Sequence, residues 1–142
     1  MNILLSGNPH EVSEGATGFD LFEDRGIIAM FVNDQARDLA HVVQANDSVV
    51  GIAVGSAAGL EILRHSTAHV MAQSVQELFP EAKLGIGPYI TDGFYFDFDV
   101  AEPFVPEDIK RIEKRMKELV GKSQRFRRLE VSEAEATELM KD

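Results

Sequence analysis

The sequence predicts an α+β fold in two parts, and three observations carry that reading. Residues 1–56 are short apolar runs punctuated by turn signals. Small residues then break the pattern at Gly55-Ser56-Ala57-Ala58-Gly59. Beyond the break, one long helical period precedes a run of alternating phenylalanines and further helical segments. The chain has 142 residues, 44% of them hydrophobic and nine of them Phe, which is room for one domain or two small ones with a buried core. The two parts are placed at residues 1–56 and 57–142.

The first part reads as about five short strands around little helix. Met1–Ser6 is an apolar strand, and Gly7-Asn8-Pro9 is a turn that returns the chain along His10–Val12. Thr17–Phe22 is a short helical turn that offers Phe19 and Phe22 to a core. Ile27–Val32 is a continuous apolar run of the kind a buried strand shows. Asn33-Asp34-Gln35 turns the chain, and Arg37–Val43 and Ser48–Val54 complete the set. Two hairpins, one short helix and a late strand predict a small β-grasp, ubiquitin-like domain. A domain of this size is only marginally stable by itself.

In the second part, Ser56 is a fitting cap for a helix running from about Ala57 to Phe79, which Pro80 ends. Leu60, Leu63, Thr67, Met71 and Leu78 form one stripe at helical spacing, taken as the core face. His65, His69, Ala72 and Gln76 fall roughly 150° away, at about 100° per residue. Lys83–Ile86 is a short strand, with Gly85, Gly87 and Pro88 allowing close backbone approach. Thr91-Asp92-Gly93 is a turn. In Phe94–Val100, Phe94, Phe96, Phe98 and Val100 share one face, and Tyr95, Asp97 and Asp99 the other. Pro106 opens the next helix with Glu107 and Asp108 at its positive end; Ile109, Ile112, Met116 and Leu119 are its core stripe, and Gly121 closes it. Gln124–Val131 reads as a strand, and Ser132 with Glu135 as a capping box for a final helix.

Composition excludes several function classes. There is no cysteine, hence no disulfide scaffold, no Cys-ligated zinc and no cysteine nucleophile in this chain. No apolar run approaches the roughly 18 residues that span a bilayer, and the first six residues are too short and lack the basic flank of a secretory signal. A cytoplasmic setting away from membranes is expected. The net charge is −10, unlike a nucleic-acid binder that is basic all over. Its distribution is uneven. Residues 1–60 hold Arg25 and Arg37 against eight acids, whereas residues 110–128 hold nine basic side chains against Glu113 and Glu118. The first segment repels phosphate and the second attracts it.

The sharpest local signal is His65-Ser66-Thr67-Ala68-His69. Four residues apart on a helix, the two imidazoles lie on one face about 6 Å apart. Such a pair can share a metal ion, or one ring can hold a water while the other relays a proton. The zincin motif is excluded, because Ser66 rather than Glu follows His65. His10 and His41 lack any partner pattern and are read as structural.

Around that pair, Leu63-Arg64-His65-Ser66-Thr67-Ala68-His69-Val70-Met71-Ala72-Gln73, Leu84-Gly85-Ile86-Gly87-Pro88 and Asp92-Gly93-Phe94-Tyr95-Phe96-Asp97-Phe98 strongly resemble the editing domain of the threonyl-tRNA synthetases. Pro106-Glu107-Asp108 with Glu113-Lys114-Arg115-Met116 looks like the helix that follows in that family. Gly15-Ala16-Thr17-Gly18 and Val32-Asn33-Asp34-Gln35-Ala36-Arg37-Asp38-Leu39 are similar to its N-terminal TGS domain, a β-grasp module. The resemblance covers essentially the whole chain.

The resemblance implies a proofreading role. Serine is threonine less one methyl, a difference that a binding pocket discriminates by only about 1–3 kcal/mol, or 10–200-fold. A second site must therefore hydrolyse seryl-tRNA(Thr). By this likeness His65 and His69 are the catalytic pair, positioning water or relaying a proton, for which an imidazole pKa near 6.5 is suited. Gly85 and Gly87 let the backbone approach the terminal adenosine, and Tyr95 and Asp97 are further substrate-binding candidates. Lys114, Arg115, Arg125, Arg127 and Arg128 are candidates for contacts to the acceptor arm and 3′ end of tRNA(Thr). No metal or cofactor is expected in this chain; ATP, magnesium and zinc belong to the family's aminoacylation core, which also makes the homodimer.

Two departures stand out. The family completes the site with a later Cys-x-x-x-His element, and this chain has no cysteine and no histidine after His69. It is therefore expected to hold only the first part of the editing domain and to be inactive by itself. Phe96 stands where the family often has a second Tyr. The alternatives are a non-catalytic TGS-type RNA-binding or regulatory module, and a metal-dependent hydrolase akin to the alanyl-tRNA editing proteins.

Overall fold

The computed structural model describes residues 1–124 and 129–140. The chain is α+β, as expected, and forms two compact units, Met1–Pro103 and Phe104–Asp142.

The first unit begins with strands β1 (Asn2–Leu5) and β2 (Asn8–Glu11), helix α1 (Gly18–Leu21), and strands β3 (Ile27–Val32), β4 (Gln35–Arg37) and β5 (Ser48–Ala53). The sheet order is β2-β1-β5-β3-β4, with β1 and β5 parallel at its centre and all other pairs antiparallel, which is the β-grasp arrangement. Each hairpin turns on two residues of positive φ. Ser6 (50°) and Gly7 (82°) join β1 to β2, and Asn33 (50°) and Asp34 (64°) join β3 to β4. The first turn thus falls one residue earlier than the Gly-Asn-Pro signal suggests, and Pro9 sits within the edge strand β2.

Ile3, Met30, Val32, Val43, Val49 and Ala16 are the core of this sheet, with Leu21, Phe22 and Leu39 packed against it. Phe22 joins the core as expected. Phe19 does not; it is 53% exposed. Thr17 caps α1, its backbone N–H and hydroxyl both donating to Asp20 at 2.8 and 2.7 Å, and these bonds hold the Asp20 carboxyl below its usual range. The expected strand Arg37–Val43 ends at Arg37. Asp38 diverts the chain: its carboxylate accepts from Ala40 N–H at 2.6 Å and its carbonyl from His41 N–H at 3.0 Å. Buried Asp47 ties the sheet's turns together, accepting from the Asn33 amide and the Gln44 N–H, each at 2.7 Å, while Asn33 accepts from Ser48 N–H at 2.9 Å.

Helix α2 (Ala57–Leu78) follows directly. Ser56 caps it, accepting from Gly59 N–H at 3.0 Å, and its own hydroxyl and N–H both donate to the Ala53 carbonyl. The small residues that break the sequence pattern thus form a tight junction. A Cβ on Gly59 would overlap the Ala53 carbonyl oxygen, so the glycine is what lets the helix start against the end of β5.

The largest departure from the sequence reading lies on α2. Its buried side chains are Ala68, Ala72, Ser74 and Val75, whereas Leu60 and Leu63, on the expected core stripe, are 36% and 45% exposed. The helix packs against β5 and against a hairpin built from β6 (Lys83–Leu84), β7 (Tyr89–Ile90), β8 (Gly93–Phe94) and β9 (Phe98–Asp99). Small buried residues let neighbouring elements approach a helix axis more closely than a leucine stripe would.

The hairpin pairs β6 with β9 and β7 with β8. Between Leu84↔Phe98 and Tyr89↔Phe94, five steps on one strand face four on the other, a bulge at Gly85-Ile86, where Gly85 N–H donates to the Asp97 carbonyl and Asp97 N–H to the Ile86 carbonyl, each at 2.8 Å. The single strand expected over Phe94–Val100 is therefore split. Its alternation survives: Phe94, Phe96, Phe98 and Val100 are half-buried and Tyr95, Asp97 and Asp99 exposed.

In the second unit, α3 (Pro106–Gly121) starts with Pro106 at its first turn, and Asp108 accepts from Val105 N–H at 3.2 Å. Ile112 and Leu119 are buried; Ile109, expected beside them, is 54% exposed. Gly121 remains inside the helix, and Ser123 takes the left-handed conformation (φ 49°) after it. The Ser132–Glu135 capping box opens α4 (Glu133–Leu139) as expected. Of the expected strand 124–131, residues 125–128 lie outside the described residues, and 124 and 129–131 are not in a strand.

Replacing Gly59 with Ala forces α2 away from the end of β5. The expected cost is about 1–3 kcal/mol of stability, measured by urea or thermal unfolding. An unchanged midpoint would mean that the junction does not constrain the helix.

Candidate functional site

Two turns of α2 and the bulged hairpin build the site. His65 and His69 project from α2 on the same side, both exposed. Their Nε2 atoms are 3.0 Å apart, with ring centroids at 4.7 Å and planes at 62°. At that distance one ring donates its Nε2–H and the other accepts at a bare Nε2, so the acceptor carries its proton on Nδ1. A hydrogen bond of this kind nets about 0.5–1.5 kcal/mol, while fixing side-chain rotamers costs up to about 1.5–2 kcal/mol per residue. The bond by itself is thus insufficient to hold two exposed rings; their neighbours matter.

Those neighbours are aromatic. Tyr89 from β7 meets His65 edge-on, centroids 6.3 Å apart and planes at 80°. Its hydroxyl donates to Glu61 Oε2 at 3.3 Å, one turn before His65 on the same helix. On the other side, Phe96 meets His69 edge-on at 6.5 Å and 77°, and itself stacks on Phe98 at 5.0 Å and 23°. The result is an open trough floored by two imidazoles and walled by a phenol and a phenyl ring.

The glycines serve the walls. A Cβ on Gly87 would fall inside the Phe96 ring, so the bare glycine is what gives that ring its place beside His69. Gly85 N–H donates to the Asp97 carbonyl at 2.8 Å, and a Cβ there would press on Asp97. Both glycines therefore enable packing within the hairpin.

Tyr95 and Asp97 flank Phe96 in the extended segment between β8 and β9 and alternate with it to the exposed face, away from the imidazoles. They are not brought together with the pair. Tyr89 and Glu61 are the members of the trough that sequence reasoning missed; a signal existed, since Glu61, His65 and His69 recur at a spacing of four.

The basic candidates fare differently. Arg115 pairs with Glu118 at 2.7 Å, Arg111 with Asp108 at 3.1 Å and Lys117 with Glu113 at 2.6 Å. The Lys117 ammonium, by hydrogen bond and charge, holds the Glu113 carboxyl below its usual range. Much of the helix's charge is thus balanced within it. Lys114 is exposed. Arg125, Arg127 and Arg128 lie outside the described residues. Among the described residues no three His, Cys, Asp or Glu side chains gather where a metal ion would sit, and no helix is long and apolar enough to cross a membrane.

The chain that joins this β-grasp sheet to a histidine-bearing helix and hairpin has relatives of known name. The relatives are aminoacyl-tRNA synthetases. The chain is 52% identical over 143 residues to the threonine–tRNA ligase of Pseudarthrobacter chlorophenolicus, a match across 100% of this chain and 21% of that protein. It is 52% identical over 141 residues to the threonine–tRNA ligase of Paenarthrobacter aurescens, and 53% identical over 138 residues to that of Thermobifida fusca, covering 99% and 96% of this chain. No protein-family model matches the chain. Along nearly its whole length the chain is similar to these threonine–tRNA ligases, and it spans about 21% of theirs.

Substituting Gly87 with Ala is expected to push the Phe96 ring off His69. The His69 ring-proton resonances then lose the shift imposed by the neighbouring phenyl ring, while those of His10 and His41 stay in place. Unmoved His69 resonances would show that Gly87 does not set the wall.

Proposed function

We propose that this chain is the N-terminal part of a threonine–tRNA ligase, and that His65 and His69 serve hydrolysis of seryl-tRNA(Thr) in its editing domain. The observation that carries the reading is the convergence of the two Nε2 atoms, 3.0 Å apart in an open trough. The pair combines a ring nitrogen that accepts and a ring N–H that donates, the two functions ester hydrolysis needs. Water attacks the ester carbonyl carbon and passes a proton to an imidazole nitrogen. The carbonyl–ribose oxygen bond breaks, and the ribose hydroxyl leaves carrying a proton. The trough's aromatic walls are apolar surfaces against which the end of a tRNA can lie.

On this reading, the parent enzyme charges tRNA(Thr) with threonine using ATP, with magnesium and zinc, in a core elsewhere in the protein. It works in the cytoplasm as a homodimer formed by that core. Tyr95 and Asp97, facing away from the pair, are secondary substrate contacts. Lys114 and Arg115 are tRNA-backbone contacts, together with Arg125, Arg127 and Arg128. The 142-residue chain by itself is inactive, because the family's second histidine-bearing element is outside it.

The test is made in the full-length ligase. His65→Ala and His69→Ala should each slow deacylation of seryl-tRNA(Thr) by about 10²–10⁴-fold while leaving threonine charging unchanged. Unchanged deacylation would refute the assignment of the pair. Robust hydrolysis by the 142-residue chain, abolished by His65→Ala, would refute its inactivity.

A further inference from the structure

We propose that Tyr89 is a positioning residue for His65, braced by Glu61. The inference rests on the reading of the histidines as a working pair and extends it to residues not assigned any role by the motif. Three facts carry it. The Tyr89 hydroxyl donates to Glu61 Oε2 at 3.3 Å, which spans from the hairpin back to α2. The Tyr89 ring then stands edge-on to His65, 6.3 Å between centroids and 80° between planes. Glu61 lies one helical turn before His65, as His65 lies one turn before His69, so a single helix face presents a carboxylate and two imidazoles in a row.

The arrangement restricts His65 in a way the helix does not. An exposed histidine on a helix samples more than one rotamer. A phenol ring packed beside it, itself pinned by a carboxylate, removes the space into which the imidazole would swing. His65 Nε2 is then kept facing His69 Nε2. Phe96 performs the matching task for His69, but through stacking on Phe98 rather than through a hydrogen bond. The two walls therefore answer differently to mutation: removal of one hydroxyl loosens the Tyr89 wall and leaves the Phe96 wall intact.

The experiment is long-range nitrogen–proton NMR of the imidazoles in this 142-residue chain. In the wild type, one of His65 and His69 should be protonated at Nε2 and the other at Nδ1, giving two distinct tautomer signatures. Tyr89→Phe keeps the ring but loses the bond to Glu61. It should collapse the two signatures towards the mixed tautomers of a free histidine, with His10 and His41 unmoved. Glu61→Ala should do the same, and it changes only an exposed helical residue to a good helix former, so it reports even if Tyr89→Phe fails to fold. Glu61→Gln, which keeps a side-chain acceptor for the hydroxyl, should retain the wild-type signatures. Wild-type signatures in both Tyr89→Phe and Glu61→Ala would overturn the brace. That result leaves the proofreading assignment standing, because it concerns what orders the pair; loss of the assignment by unchanged deacylation in the histidine variants would equally leave the brace standing.

Discussion

The close approach of the hairpin to α2 is the constraint on which the rest depends. The hairpin lies against the helix through β7 and β8, and Ala68 and Ala72 are among the helix's buried residues. That approach brings Tyr89 beside His65 and Phe96 beside His69. A bulkier face would lift the hairpin, leaving the imidazoles on an ordinary solvated helix surface. The bulge at Gly85-Ile86 and the glycine that follows it are the second half of the same constraint, since the extra residue re-aims the strand and the missing Cβ at Gly87 clears the space for Phe96.

The site therefore draws on long-range order as well as on motif spacing. Helical spacing alone places two imidazoles near each other; it does not choose their rotamers. The walls do so, and each wall has its own anchor, a carboxylate on α2 for Tyr89 and a second phenyl ring for Phe96. The helix is in turn fixed at its start by Ser56 and Gly59 against the end of β5. The chain of dependence thus runs from the β-grasp sheet, through the first turn of α2, to the trough.

Much of this was legible in the sequence where the signals are local. The histidine pair, the caps at Ser56 and Ser132, the proline start of α3 and the Asn33-Asp34 turn all follow from one or two side chains and a short backbone stretch, and all are present. The β-grasp arrangement was legible from the order of short apolar runs. The buried face of α2 was not, because apolar periodicity weights leucine over alanine, while close packing here favours alanine. Phe19 was misassigned for a similar reason: its bulk suggested burial, and its position on a four-residue helix turns it outward. The end of β4 at Arg37 depends on the Asp38 carboxylate capturing a backbone N–H, which alternation does not register. Tyr89 and Glu61 escaped notice because their contact joins residues 28 positions apart.

The measurement that bears most directly on the central claim is a nuclear Overhauser spectrum of the folded chain. The account predicts cross-peaks from the His65 ring protons to Tyr89 and from the His69 ring protons to Phe96, observed in the same sample. Histidine ring protons with no contact to either aromatic side chain would contradict it, and would leave the pair as two solvated side chains on a helix.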